Sequence, residues 1–495
     1  MPAYQNSEAD VLFPANDFFE TLKVQLLSGE MLQQEHGVVE QFLKVNGAEL
    51  MRLLLQSYLN RLADNEPQHE KLVVGTDDVE RTRKRRACTR QLMTEFGQVE
   101  VRRTGYFGPC VSSLFPLDAQ LNLSPDKFSH GLRLAAAEAA ATTSFGEVVR
   151  EIDRHTAGHV AKRQAEELAQ KVSQDFHAFY AQRRHEQMAA NDLLVLTTDG
   201  KGIVVRQEDL REGTRLAAER ECHKKQTRLS PGEKKNRKRM AQVASVYSVG
   251  PHHRTAEDIL SVTDERPPVH SPVPYNKRVW ASVEGSSGEV IDHLFEEACR
   301  RDPLNQQQWV VLVDGHLDQL KLVMSSAAAR ERQPAVIMDF VHVMEYLWKA
   351  AHALFGQDSD ESEEWVRIMA MKLLQSQTTD VSTLVRMKGL IRGLDDKRME
   401  AVDKCANYLR NHETYLDYQT ALAQGWPIAT GVIEGACRHL VKDRIDITGA
   451  RWSLRGAESV LKLRSLRSSG DLAEYLKYHC RRERERNYKD LVNAA

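Results

Sequence analysis

At 495 residues, 41% hydrophobic and 28% charged, the chain has the composition of a globular protein of roughly two to four folding units, not of a disordered one. It has no apolar run long enough to span a membrane and no basic-then-apolar leader in "MPAYQNSEAD", so a cytoplasmic protein is expected. The seven cysteines are scattered and contain no Cys-x-x-Cys pair, which argues against a disulfide framework and a cysteine zinc site.

The formal net charge of −2 conceals segregation: residues 215–240 hold ten Lys/Arg against three Asp/Glu. Further basic clusters lie at 81–86 ("RTRKRR") and, balanced by acids, at 481–486 ("RRERER"). Segregated positive charge suits solvated surface and equally suits a phosphate-backbone partner.

In chain order, residues 17–64 read as helices, with Phe42, Leu43, Met51, Leu54, Leu55, Tyr58, Leu59 and Leu62 near helical spacing. Alternation in "EFGQVEV" predicts a β-hairpin turning near Gly97. Within the helical block 124–188, two amphipathic segments flank a break at Thr156–Gly158, the first marked by Phe145, Val148, Val149 and Ile152 and the second by Val160, Gln164, Leu168 and Val172. That is the outline of a helix-turn-helix, which many helical hairpins share.

From 193 the period changes. "LLVLTT" and "GIVVRQ" read as paired strands about the Asp199–Gly200 dipeptide, and "AQVASVYSVG" (241–250) as a third strand, with a basic loop between. A helix is expected at about 279–301. "WVVLVDG" (309–315) and "PAVIMDF" (334–340) are apolar strands that end in aspartates, separated by a helix. Strands alternating with helices indicate an α/β layer with part of its sheet parallel, whose chemistry belongs at the C-terminal strand ends. Residues 357–425 break the alternation and read as a helical insertion, and 426–470 resume amphipathic helix.

Asp199 and Asp314 both end predicted strands, both precede glycine, and lie 115 residues apart; Glu434 follows 120 residues later at a helix start. Taken singly, an Asp-Gly is a common turn and an early helical Glu a good dipole partner. Together on one α/β scaffold they are a set that can bind Mg²⁺, a hard cation that takes oxygen ligands. Two such ions, with Mn²⁺ an expected substitute, would clamp the attacking and leaving oxygens of a phosphodiester displacement. Basic residues around the third carboxylate (Lys442, Arg444, Arg451) and Trp452, able to stack on a base, suit a nucleic-acid substrate. Lys201 and the basic residues Lys224, Lys225, Lys234, Lys235, Arg237, Lys238 and Arg239 are further candidate DNA contacts. Asp339 and His342, three apart at a helix start, share a face; a role at a DNA phosphate or the metal site and an N-cap with a structural histidine are both open. No phosphate loop is present, so ATP use is not expected.

Taken together, "TTDGKG", "VLVDGH", "IMDFVHVMEYLW" and "GVIEGACRHLVKDRIDITGARW" resemble the DDE transposases of bacterial insertion sequences, in particular the ISKra group, which is similar to the Mutator and hAT class. The resemblance runs from about 80 to 470 and rests on the four motifs in order. It implies an α/β RNase H-like catalytic domain with an all-α insertion, and Asp199, Asp314 and Glu434 as the metal-binding triad. It also implies an auxiliary role for Asp339 and His342, whose spacing looks like the Asp-x-x-His signature of that class. The implied organisation is a helical region (1–75), a DNA-binding region with the hairpin and helix-turn-helix (76–188), catalytic segments at 189–356 and 426–470 around the insertion (357–425), and a basic helical tail (471–495). The expected function is cleavage and strand transfer at terminal inverted repeats of double-stranded DNA by a dimer or larger homo-oligomer. A non-catalytic DNA-binding derivative and a nuclease without strand transfer are the alternatives.

Overall fold

The computed structural model describes residues 11–67, 73–74, 79–185, 188–220, 237–260, 271–357, 359–447 and 449–492, and its architecture is mixed α/β. The chain divides into two compact units: residues up to Gln182 with those from Asp471 onward, and Arg183–Gly470. Among the described residues no helix is long and apolar enough to cross a membrane.

In the first unit, helices α1 (Phe13–Leu26) and α2 (His36–Asp64) precede a hairpin of strands β1 (Arg83–Thr94) and β2 (Gly97–Phe107). The hairpin reverses at Gly97, whose φ of +110° suits glycine. Leu59 of α2 packs with Leu92, Val99 and Val101 of the hairpin. Helices α3 (His130–Thr142), α4 (Phe145–His155), α5 (Lys162–Val172) and α6 (Phe176–Gln182) follow, α3 and α4 starting at Ser129 and Ser144, whose hydroxyls accept from the backbone one turn on. Of the residues expected to mark these helices, Val148, Ile152, Val160, Leu168 and Val172 are buried, whereas Phe145, Val149 and Gln164 are half-buried.

The C-terminal helix (Leu472–Val492) belongs to this unit. Arg133, fully buried, donates to Glu483 Oε1 at 2.7 Å, and His479 Nδ1 lies 2.7 Å from Asp175 Oδ2. Buried charges need such partners, because an uncompensated one is expensive. The segment therefore supplies core polar groups in addition to surface charge.

The second unit is built on a five-stranded sheet of β3 (Leu193–Val204), β4 (Lys238–Val249), β5 (Tyr275–Ser282), β6 (Gln308–Val313) and β7 (Ala335–Met338), in the order β5-β4-β3-β6-β7. The pairs β3/β4 and β4/β5 are antiparallel, and β3/β6 and β6/β7 parallel. Leu193–Leu196 and Val310–Val313 are all buried, the near-continuous apolar run of strands covered on both faces. Helices α7 (Ser287–Arg301), α8 (Leu317–Ala328) and α9 (Phe340–Phe355) alternate with the later strands. The insertion supplies α10 (Asp360–Leu374), α11 (Thr378–Ile391), α12 (Asp396–Asn411) and α13 (Tyr418–Ala423). Helix α14 (Gly431–Ala436) then runs into a π-helical turn (Cys437–Lys442), and α15 (Leu454–Ser468) packs against β5.

Two expectations are corrected. Asp199–Gly200 is not a hairpin turn: β3 runs through it unbroken, with Asp199 opposite Val243 and Gly200 opposite Gln242. Gly200 has no left-handed φ, and β-branched residues on both sides (Thr197, Thr198, Ile203, Val204) favour extended backbone. Residues 279–282 are strand, not helix, with Val279, Trp280 and Ala281 buried. Helix α7 starts only where Ser286 and Glu289 form a reciprocal capping box.

Candidate active site

Register decides which carboxylates meet. The β3/β6 ladder pairs Leu193 with Gln308 through Thr197 with Leu312, a constant offset of 115, and β6/β7 pairs Val313 with Met338, an offset of 25. Extended past their last pairs, these offsets align Asp199, within β3, with Asp314 and Asp339, the residues that directly follow β6 and β7. Neighbouring strands stand about 4.8 Å apart. Between β6 and β7 the ladder extends to this row, because Asp339 N–H donates to Val313 O at 2.8 Å. The separation of 115 residues between the first two aspartates is thus a register, and β6 stops where β3 continues.

Each carboxylate has distinct partners. Asp199 Oδ1 accepts from Gly200 N–H at 2.6 Å, and its Oδ2 accepts the Cys437 thiol at 3.1 Å. Asp314 Oδ1 accepts from His316 N–H at 3.1 Å. Asp339 is buried and caps α9: one oxygen accepts Val341 N–H at 2.9 Å and the other the Thr430 hydroxyl. His342 lies in the first turn of α9, its ring 5.6 Å from Tyr346 and 6.4 Å from Tyr408, edge-on.

Helix α14 brings Glu434 to the same end of the sheet. Thr430, at its start, donates to Asp339 through its hydroxyl and accepts Glu434 N–H through its carbonyl at 3.1 Å. Cys437, three residues beyond Glu434 and so on the same helical face, binds Asp199. The segment is docked on the aspartate row both before and after Glu434, whose side chain is exposed. Burial pushes the Cys437 thiol above its ordinary value, and the charges of Asp199 and Glu434 act in the same direction, so it stays a donor. Among the described residues no three His, Cys, Asp or Glu side chains are gathered into a ready metal cluster. Asp199 and Asp314 each carry hard oxygen donors toward this end of the sheet, and Glu434 lies on the helix docked there.

The candidate DNA contacts divide. Lys201, two residues beyond Asp199 in the strand and so on the same face, is half-buried. Lys442 and Arg451 are exposed; Lys238 is exposed and pairs with Asp446 at 2.9 Å; Arg237 is half-buried. Arg239 donates to Val283 O at 2.8 Å and Asp209 O at 3.0 Å, so its guanidinium is committed to the fold. Lys224, Lys225, Lys234 and Lys235 lie outside the described residues. Trp452 and Arg444 are corrected: they are 7% and 4% exposed, with the guanidinium 4.7 Å over the indole. Trp452 Nε1 donates to Ile445 O at 2.9 Å, and burial lowers the Arg444 pKa to about 10. Neither presents a surface to a base or phosphate.

Sequence reasoning missed the supporting residues. Cys437 was within reach, since its spacing from Glu434 puts both on one helical face. Tyr408, His412 and Thr430 carry no local signal that ties them to Asp314 or Asp339. Tyr408 O–H donates to Asp314 O at 3.0 Å, and Gln319 of α8 donates to Thr198 O at 2.9 Å. No family model matches the chain, and no curated protein matches it.

Proposed function

We propose that the chain is a DDE-type DNA transposase that cuts and joins phosphodiesters at Asp199 and Asp314. The observation that carries this reading is the parallel β3/β6 pairing, whose offset of 115 aligns Asp199 within β3 with Asp314 just past the end of β6, and the Glu434 segment docked on Asp199 and Asp339. Further support comes from the strand order, three consecutive antiparallel strands with the first also paired in parallel with the fourth and the fourth with the fifth, which is consistent with an RNase H-like domain. Helices α4 and α5, joined through residues 156–161, are consistent with a helix-turn-helix that binds terminal repeats.

The donor set fits Mg²⁺ because such sites take one or two carboxylates and complete the shell with water and substrate phosphate. A bound Mg²⁺ supplies charge at the phosphorus and activates the attacking water or 3′-hydroxyl. Asp199 and Asp314 hold oxygens in fixed relation, Glu434 adds a carboxylate from the helix side, and Lys201 places positive charge beside the scissile phosphate. A homo-oligomer that pairs two element ends follows from the same reading.

The test is a cleavage and joining assay on duplexes that carry the inverted repeats flanking the coding region, with Mg²⁺ or Mn²⁺. Asp199→Asn is expected to abolish strand cleavage and retain binding to end DNA. Cleavage at the parental rate in that variant removes Asp199 from the mechanism. Cleavage without joined product by the parent chain would favour a nuclease.

A further inference from the structure

Helix α12 comes from the insertion, yet its C-terminal end is bound to the turn that carries Asp314. The chain leaves β6 at Asp314 and swings into α8 through Gly315, whose φ is +90°. Two successive carbonyls of this turn face α12: Asp314 O accepts the Tyr408 hydroxyl at 3.0 Å, and Gly315 O lies 2.9 Å from His412 Nε2. The two side chains are themselves held. Tyr408 stacks on Tyr346 of α9 with centroids 3.9 Å apart and planes 11° from parallel. His412 is buried, with Nδ1 2.8 Å from the Tyr408 carbonyl. Neither residue reaches the Asp314 carboxylate; both grip the backbone that aims it.

We propose that Tyr408 and His412 are positioning residues for the Asp314 carboxylate, and that the helical insertion thereby sets the geometry of cation binding at Asp199 and Asp314. This rests on the reading of Asp314 as a cation ligand. A residue that orients a ligand alters metal affinity without touching the metal, commonly by about tenfold or more when removed. The fold alone does not call for these two bonds, since Asp314 already lies at the end of a strand paired on both sides.

The test uses the full chain without DNA, titrated with Mn²⁺ and followed by the electron paramagnetic resonance of the free ion, with urea unfolding in chelator as a control for folding. Tyr408→Phe keeps the stacked ring and removes only the hydroxyl. Tyr408→Phe and His412→Ala are expected to raise the half-saturating Mn²⁺ about tenfold, whereas His412→Gln, which keeps a donor near the Nε2 position, binds near the parental concentration. Parental Mn²⁺ affinity in Tyr408→Phe and His412→Ala, with Asp314→Asn losing the site, overturns the inference and leaves the function standing. Parental Mn²⁺ affinity in Asp314→Asn overturns the reading of Asp314 itself.

Discussion

Replacing Gly315 by alanine probes the Asp314 turn at its tightest point. At φ +90° an L-residue meets the clash of side chain with backbone that costs about 1–2 kcal/mol in left-handed conformations. An added Cβ would also overlap the Met338 methyl and stand 2.9 Å from the Tyr408 hydroxyl. Met338 is fully buried, so its methyl can move only by displacing neighbours, an overpacking cost of about 1–3 kcal/mol. Gly315→Ala is therefore expected to lose roughly 2–5 kcal/mol in urea unfolding of the full chain. Met338→Ala in the same chain should recover the overpacking part and leave the backbone part, which a double-mutant cycle separates. A loss below about 0.5 kcal/mol, the scale of an unremarkable surface substitution, would refute the geometry of this turn.

Three further outcomes follow from the same contacts. Cys437→Ala removes the donor to Asp199 Oδ2 and should cost about 1–3 kcal/mol in urea unfolding, with Cys437→Ser, which keeps a donor, costing less; equal losses in the two variants would deny the hydrogen bond any role. Trp452→Ala should destabilise by about 3–5 kcal/mol as a core truncation; unchanged stability with weakened DNA binding would restore Trp452 to the surface. Glu297 is 0% exposed; burial alone would raise its pKa, but Arg278, Arg301 and His185 outweigh that and bring it from 4.5 down to about 2. Its contribution to stability is present above the unfolded value of 4.5 and lost as pH falls from there through about 2. Glu297→Gln should flatten that part of the acid-unfolding profile, and an unaltered slope between those values would contradict the assignment.

The strands were legible where the sequence is apolar and β-branched, as in Val310–Val313 and Val243–Val249, and the helical insertion where alternation stops. Asp199, Asp314 and Asp339 were visible as aspartates at the ends of apolar runs. Their alignment was not, because register depends on pairing between residues more than a hundred positions apart. The misreadings share a cause: local chemistry was taken without its tertiary setting. Asp199–Gly200 has turn composition, but pairing with β4 keeps it extended. Val279–Ser282 lacked a marked boundary until the capping box at Ser286 is recognised as the helix start. Trp452 has the chemistry of a stacking residue, yet its indole N–H is satisfied inside the unit. Tyr408 and His412 act through backbone carbonyls, which leave no trace in residue type.

The most direct measurement is the anomalous scattering of Mn²⁺ in crystals of the chain bound to end DNA. The account predicts a peak at the Asp199 and Asp314 carboxylates, lost in Asp199→Asn. Manganese bound elsewhere on the chain, with both aspartates bare beside a bound phosphodiester, would contradict it.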